Sequence, residues 1–194
     1  MKSEIWVDTL FQWAQKYQVR EILKIENNCP PSEKKEALLK IYRLNLDNRN
    51  LYTLPNEFTH LKSLRYLNIA NNNFIILPSI IYKMKELIYL RLSGNKIEVL
   101  DEGISALSKL VYFRMDYNLL HTIPEDIGQL NMLRYFILVS NHLEHIPETI
   151  IDLPAIYKID ISWNHMEILP DFLRPWRDKK ILRHAWNRFR TVDK

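Results

Sequence analysis

Four tyrosines recur every 23 residues: Tyr66, Tyr89, Tyr112 and Tyr135. Two arginines, Arg91 and Arg114, keep the same interval two residues after the second and third of them. Tyrosine joins a flat apolar ring to a hydroxyl, and arginine offers a planar cation with five donors. Side by side, they are the residue types that concentrate binding energy in protein interfaces. Tyr117 and Trp163 fall later in the same interval and would rim such a row. Residues suited to covalent chemistry are sparse. The single cysteine, Cys29, sits in an Asn-Asn-Cys-Pro-Pro turn with no histidine near it in sequence, a poor setting for a nucleophile. There is no HExxH, no paired cysteine and no Gly-rich phosphate loop. His142 and His165 share the interval, but two imidazoles without supporting carboxylates make a weak metal site. The expectation is a binding surface, with no catalytic residue, metal or cofactor.

A row of side chains needs a repeating backbone to carry it. From Ile41 to Met166 one pattern is written six times with no slippage in its 23-residue period. Its first column reads Ile41, Leu64, Leu87, Leu110, Leu133, Ile156; its fourth Leu44, Leu67, Leu90, Phe113, Phe136, Ile159; its sixth Leu46, Ile69, Leu92, Met115, Leu138, Ile161. The alternation of columns 4 and 6 predicts a short strand that buries those side chains and presents columns 3 and 5 outward. Asn72, Asn95, Asn118, Asn141 and Asn164 occupy column 9, with Arg49 in the first copy. An amide both donates and accepts, so it can satisfy the backbone groups of a turn that leaves the sheet. Pro55, Pro78, Pro124, Pro147 and Pro170 follow at column 15, with Asp101 as the exception. They steer the return segment away from sheet, and eight residues there leave room for one turn of helix or 3₁₀ helix.

This spacing, L-x-x-L-x-L-x-x-N-x-L followed by x-x-L-P-x-x-I-x-x-L, resembles the leucine-rich repeat, and the resemblance covers about two-thirds of the chain. It implies an α/β right-handed solenoid, a horseshoe with a parallel concave sheet and a helical N-terminal cap. It also implies that ligands lie against the concave sheet. The L-P-x-x-I-x-x-L return is similar to repeats of bacterial cytoplasmic and effector-type proteins, and of intracellular animal proteins that bind small GTPases. Some bacterial leucine-rich effectors are ubiquitin ligases; this chain has neither their 20-residue period nor a catalytic domain. The resemblance therefore implies a non-enzymatic protein-interaction module.

The flanks complete the plan. Trp6, Leu10, Trp13 and Tyr17 recur at helical spacing and predict a helix over 3–25, with Ser3 as N-cap and Glu4 behind it. A second short helix is expected from Ser32 to about Leu39. Residues 1–40 would cover the open end of the first repeat; a docking role for Trp6 and Trp13 is the competing reading. Residues 41–170 hold the six repeats. Residues 171–194 keep the phase through Leu182, Asn187 and Phe189 but put Lys179 and His184 at core columns, and so read as a degenerate seventh repeat and C-terminal cap. That segment is basic, with Arg174, Arg177, Lys179, Lys180, Arg183, Arg188 and Arg190.

Bulk properties narrow the partner. A net charge of +4 is too mild to mark a nucleic-acid binder by itself. On outward columns 2, 3, 5, 7 and 8 the basic residues are Arg43, Arg65, Arg91, Arg114, Arg134 and Lys158, against Asp47, Asp116 and Asp160. That surplus of three predicts a protein partner with an acidic surface. The alternative is single-stranded nucleic acid stacked on the tyrosines; the modest charge and the interrupting aspartates weigh against it. Glu4 and Asp8 spoil the N-terminal run as a signal peptide, no stretch is long enough to span a membrane, and one cysteine permits no internal disulfide. The expectation is a cytoplasmic monomer, and export into a host cell by a specialised secretion system is compatible with it.

Overall fold

The computed structural model describes residues 5–185. In it every copy of the repeat crosses one sheet for three residues: β1 Arg43–Asn45, β2 Tyr66–Asn68, β3 Tyr89–Arg91, β4 Tyr112–Arg114, β5 Tyr135–Ile137 and β6 Lys158–Asp160. A seventh strand, β7 Leu182–Arg183, follows from the degenerate copy. All neighbours run parallel, and the strands lie in chain order from β1 to β7 in an open sheet. The register sets column upon column, Tyr66 opposite Tyr89 and Tyr89 opposite Tyr112. On the far side, 3₁₀ turns such as Asn56–His60, Glu102–Ala106 and Glu125–Gln129 close each circuit. The arrangement is a leucine-rich-repeat solenoid.

Columns 4 and 6 are buried in every repeat, and so is column 1 from Ile41 to Leu133. Ile156 is the exception, half-buried, because the residue that should cover it from the next repeat is the exposed Lys179. Phe58, Ile81, Ile104, Ile127 and Ile150 close the core from the 3₁₀ side. One apolar cluster runs from Val7 in the cap to Leu182 in the last strand. Each strand is too short to hold its place alone, so adjacent repeats stabilise one another.

The asparagine column links these repeats. Asn118 donates to the carbonyls of Leu92 (3.0 Å) and Met115 (3.0 Å) and accepts from the Ile97 N–H at 3.1 Å. Asn95, Asn141 and Asn164 repeat that geometry one circuit apart. Each amide therefore satisfies buried backbone groups of two successive repeats. Asn72 faces the deviant first copy and accepts two N–H groups, from Arg49 and Leu51.

The cap differs from the expectation of one helix over 3–25. It has α1 Ile5–Tyr17, α2 Arg20–Asn28 and α3 Pro31–Leu39. Gln18 breaks the first pair in the left-handed region, at φ 54°. The Val19 N–H reaches back to the Ala14 carbonyl and the Gln18 N–H to Gln15, a Schellman-type end without its usual glycine. The break turns Val19 and Ile22 fully inward. The third helix begins one residue before the expected Ser32, at Pro31, whose missing N–H costs nothing in the first turn. Trp6 stacks on His60 at 4.6 Å, and Trp13 meets the Phe58 ring edge-on at 5.1 Å. Both tryptophans thus clamp the cap to the first repeat, and the docking reading is corrected. Ser3, Glu4, Asn187, Arg188, Phe189 and Arg190 lie outside the described residues.

Candidate functional site

The parallel register brings the four tyrosines together as a ladder of rings on the open face of the sheet. Centroids lie 6.0 Å apart for Tyr66 and Tyr89, 4.6 Å for Tyr89 and Tyr112, and 5.7 Å for Tyr112 and Tyr135. The middle pair is stacked within 7° of parallel. Sequence reasoning missed two further rings. Tyr42 packs edge-on against Tyr66, and Tyr157 packs against Tyr135 at 5.5 Å. Both occupy column 2, in the copies where column 3 is Arg43 or Lys158, so a search down one column could not join them to the row. Stacking half-buries Tyr89, Tyr112 and Tyr135, whereas Tyr42, Tyr66 and Tyr157 remain exposed. The expectation of a largely exposed row is corrected to this extent: the central rings cover one another. Burial, with Tyr112 beside it, holds the Tyr89 hydroxyl above its ordinary pKa.

The charges sort into paired and unpaired groups. Arg114 Nε donates to the buried Asp116 carboxylate, which holds the guanidinium firmly in its charged form. Arg65 pairs with Glu86 at 3.1 Å, and Lys109 reaches the same carboxylate at 2.6 Å. Arg91 has no such partner: its Nε is buried and makes no hydrogen bond. Arg91 and Arg114, alike in sequence, therefore stand in different electrostatic states.

Column 8, where the chain turns off the sheet, is left-handed in all six repeats. The φ values are 55° at Asn48, 51° at Asn71, 68° at Gly94, 55° at Tyr117, 55° at Ser140 and 60° at Trp163. Glycine and asparagine suit that backbone, but bulky side chains do not, at a cost of about 1 kcal/mol or more. Tyr117 and Trp163 nevertheless occupy it, 64% and 54% exposed. A second exposed apolar strip, Tyr52, Ile75, Ile76 and Val99, flanks the sheet on the way to the 3₁₀ turns, with Ile76 bridging to Val99. His142 and His165 stack at 4.9 Å, and no group of three or more metal-binding side chains occurs among the described residues.

Residues 63–84 match the family model described as Leucine Rich Repeat. The structure of the Leptospira interrogans LRR protein LIC12759 aligns at 31% identity and a TM-score of 0.66, over 81% of this chain and 39% of that one. The PEPR1-AtPEP1 crystal structure aligns at 24% identity and a TM-score of 0.62, over 75% of this chain and 21% of that one, a likeness of fold alone. The chain thus spans less than half the length of either neighbour. No curated protein matches it.

Proposed function

The chain belongs to the leucine-rich-repeat proteins, a fold that commonly mediates protein–protein interaction, and on that premise we propose that it binds a protein partner on the open face of its sheet and catalyses nothing. Tyr66, Tyr89, Tyr112 and Tyr135 form the platform, Arg91 and Arg114 flank it, and Tyr117 and Trp163 rim it. The observation that carries the reading is the placement of Tyr117 and Trp163. Folding alone favours glycine or asparagine at a left-handed turn, as at Gly94, Asn48 and Asn71. A large aromatic residue kept there against the local preference, as Tyr117 is at 64% exposed, makes sense as a contact group, and Trp163, 54% exposed, stands at the same column.

The partner on this reading presents acidic side chains, since Arg43, Arg91, Arg134 and Lys158 make no ion pair among the described residues while Asp116 is consumed by Arg114. Single-stranded nucleic acid fits less well. The tyrosine faces a base would stack on are turned toward one another, and Arg65 and Arg114 are engaged. The proposed protein acts as a monomer in a reducing cytoplasm, its own or a host's, consistent with its one half-buried thiol, Cys29. The test is affinity capture with wild type, with Tyr117→Asn/Trp163→Asn, and with the controls Glu102→Ala and Glu148→Ala on the 3₁₀ side. The double variant loses the partner and the controls retain it. Equal capture by all forms removes the sheet face from consideration and moves attention to the strip around Ile75 and Ile76.

A further inference from the structure

Between β1 and β3 the sheet face holds a cavity of about 320 Å³, ringed by Arg43, Asn45, Tyr66, Asn68, Tyr89 and Arg91. Its polar groups are one-sided. Asn45 Oδ1 accepts from Asn68 Nδ2 at 2.9 Å and from the Asp47 N–H at 3.3 Å. Asn68 Oδ1 accepts from the Ala70 N–H at 3.0 Å. The two amide acceptors are engaged within the protein, whereas their donor ends are not exhausted. Asn45 Nδ2 donates to nothing among the described residues, and Asn68 Nδ2, bound once, keeps a second N–H. Arg91 adds a buried Nε with no hydrogen bond, and Arg43 an exposed guanidinium in no ion pair among the described residues.

A buried donor without an acceptor is costly, and the unused donors of Arg91, Asn45 and Asn68 on this wall are completed by an anion. The nearby carboxylates limit its charge. Glu21, from α2, accepts the Asn45 N–H at 3.2 Å, and Asp47 is held by Asn71 Nδ2 at 2.8 Å. Two guanidinium charges against Glu21 and Asp47, whose contact with the neutral Asn71 amide leaves its charge in place, give no surplus, which suits a monoanion held by directed hydrogen bonds. A phosphoryl group carries closer to two negative charges. Tyr66 and Tyr89 supply apolar walls for a short methylene stem.

We infer that this cavity receives an aspartate or glutamate carboxylate of the protein partner, bound by Arg91 and the Asn45 and Asn68 amides, with Arg43 steering its approach. The inference rests on the sheet face being the binding surface and names the chemistry that one part of it selects. Charge-assisted hydrogen bonds are the strong ones, and an arginine fork with flanking amide N–H groups suits the two oxygens of a carboxylate.

The probe is a short poly-glutamate peptide, with poly-glutamine as the neutral control, titrated into the full chain and followed by NMR. The expected result is a saturable shift of the Arg91 Nε–H and of the Asn45 and Asn68 side-chain amides with poly-glutamate and none with poly-glutamine. Arg91→Gln lowers the affinity by about tenfold, as losing one charged hydrogen bond should; Lys96→Gln, on the turn side, leaves it unchanged. Asn45→Ala is the second variant should Arg91→Gln disturb folding. Shifts spread over the surface without a change at Arg91, or equal affinity in Arg91→Gln, overturn the inference. Displacement of poly-glutamate by inorganic phosphate at lower concentration overturns the carboxylate assignment. Partner capture separates the two levels. Loss in Tyr117→Asn/Trp163→Asn with retention in Arg91→Gln rejects the cavity and keeps the face. Retention in both rejects the face itself.

Discussion

Asn72→Ala should destabilise the protein about twice as much as Asn118→Ala, although Asn118 lies at the centre of the ladder and Asn72 at its start. In the middle of the ladder each carbonyl is served twice. Without Asn118, Leu92 still accepts from Asn95 at 2.8 Å, and Met115 from Asn141 at 3.0 Å. Only the Ile97 N–H, in the buried core of the turn, loses its acceptor. One orphaned buried donor costs about 1–3 kcal/mol. At Asn72 the redundancy ends, because Arg49 stands where the preceding asparagine would be. Asn72→Ala strands the N–H groups of Leu51 and Arg49 and the carbonyl of Leu46, which has no other hydrogen-bond partner among the described residues. The Arg49 N–H is only part-buried and water reaches it, so two full penalties apply, about 2–6 kcal/mol. Arg49→Ala removes a side chain whose buried Nε bonds to nothing and should cost under about 1 kcal/mol. Urea unfolding followed by circular dichroism measures all three. The slope matters as well, since a lower slope for Asn72→Ala would mean the first repeat unfolds ahead of the rest. Equal losses for Asn72→Ala and Asn118→Ala at unchanged slope refute the count of stranded groups. A loss for Arg49→Ala as large as either refutes the role given to the amides.

Four further outcomes follow from the same contacts. Tyr117→Asn, which relieves a bulky residue in a left-handed turn, should raise stability by about 0.5–1 kcal/mol in the same urea assay while weakening partner capture. Tyr89→Ala with Tyr112→Ala breaks the closest ring stack, 4.6 Å apart, and should lower stability by about 1–3 kcal/mol, so binding data from that pair need a stability control. Glu86 titrates below the ordinary carboxylate range because Lys109 donates to it, with Arg65 adding to the effect. A depressed acid stabilises above its unfolded pKa, and its contribution is lost as pH falls through the folded value. Glu86→Gln should therefore lower stability slightly at neutral pH and leave it unchanged well below about pH 4, which flattens the acid limb of the stability profile. Deleting residues 1–40 uncovers Phe58 and the first repeat, and the product should aggregate in light scattering; a soluble deletion that unfolds cooperatively would deny the segment its capping role.

The solenoid was legible because its signal is written six times and depends on side-chain type alone. Leu44 or Phe113 at column 4 is buried whatever else its repeat contains, and each asparagine finds the same carbonyls one circuit away. What escaped the sequence depends on backbone conformation or on contacts between columns. Gln18 ends α1 in a left-handed turn that no glycine announces, so the amphipathic pattern runs across the break without showing it. Tyr117 and Trp163 could be placed at the rim, but their strain is invisible until Gly94, Asn48 and Asn71 are seen to share one φ with them. Arg91 and Arg114 look equivalent in sequence; the Asp116 carboxylate two residues beyond Arg114 is what separates a paired cation from an unsatisfied one, since the matching position after Arg91 is Ser93. That single exchange of aspartate for serine moves the acceptor-poor centre of the face to the β1–β3 side. A partner's acidic group should then be read there, and Ser93→Asp, which would supply Arg91 with an internal carboxylate, should close the cavity to poly-glutamate without altering the tyrosine ladder beside it.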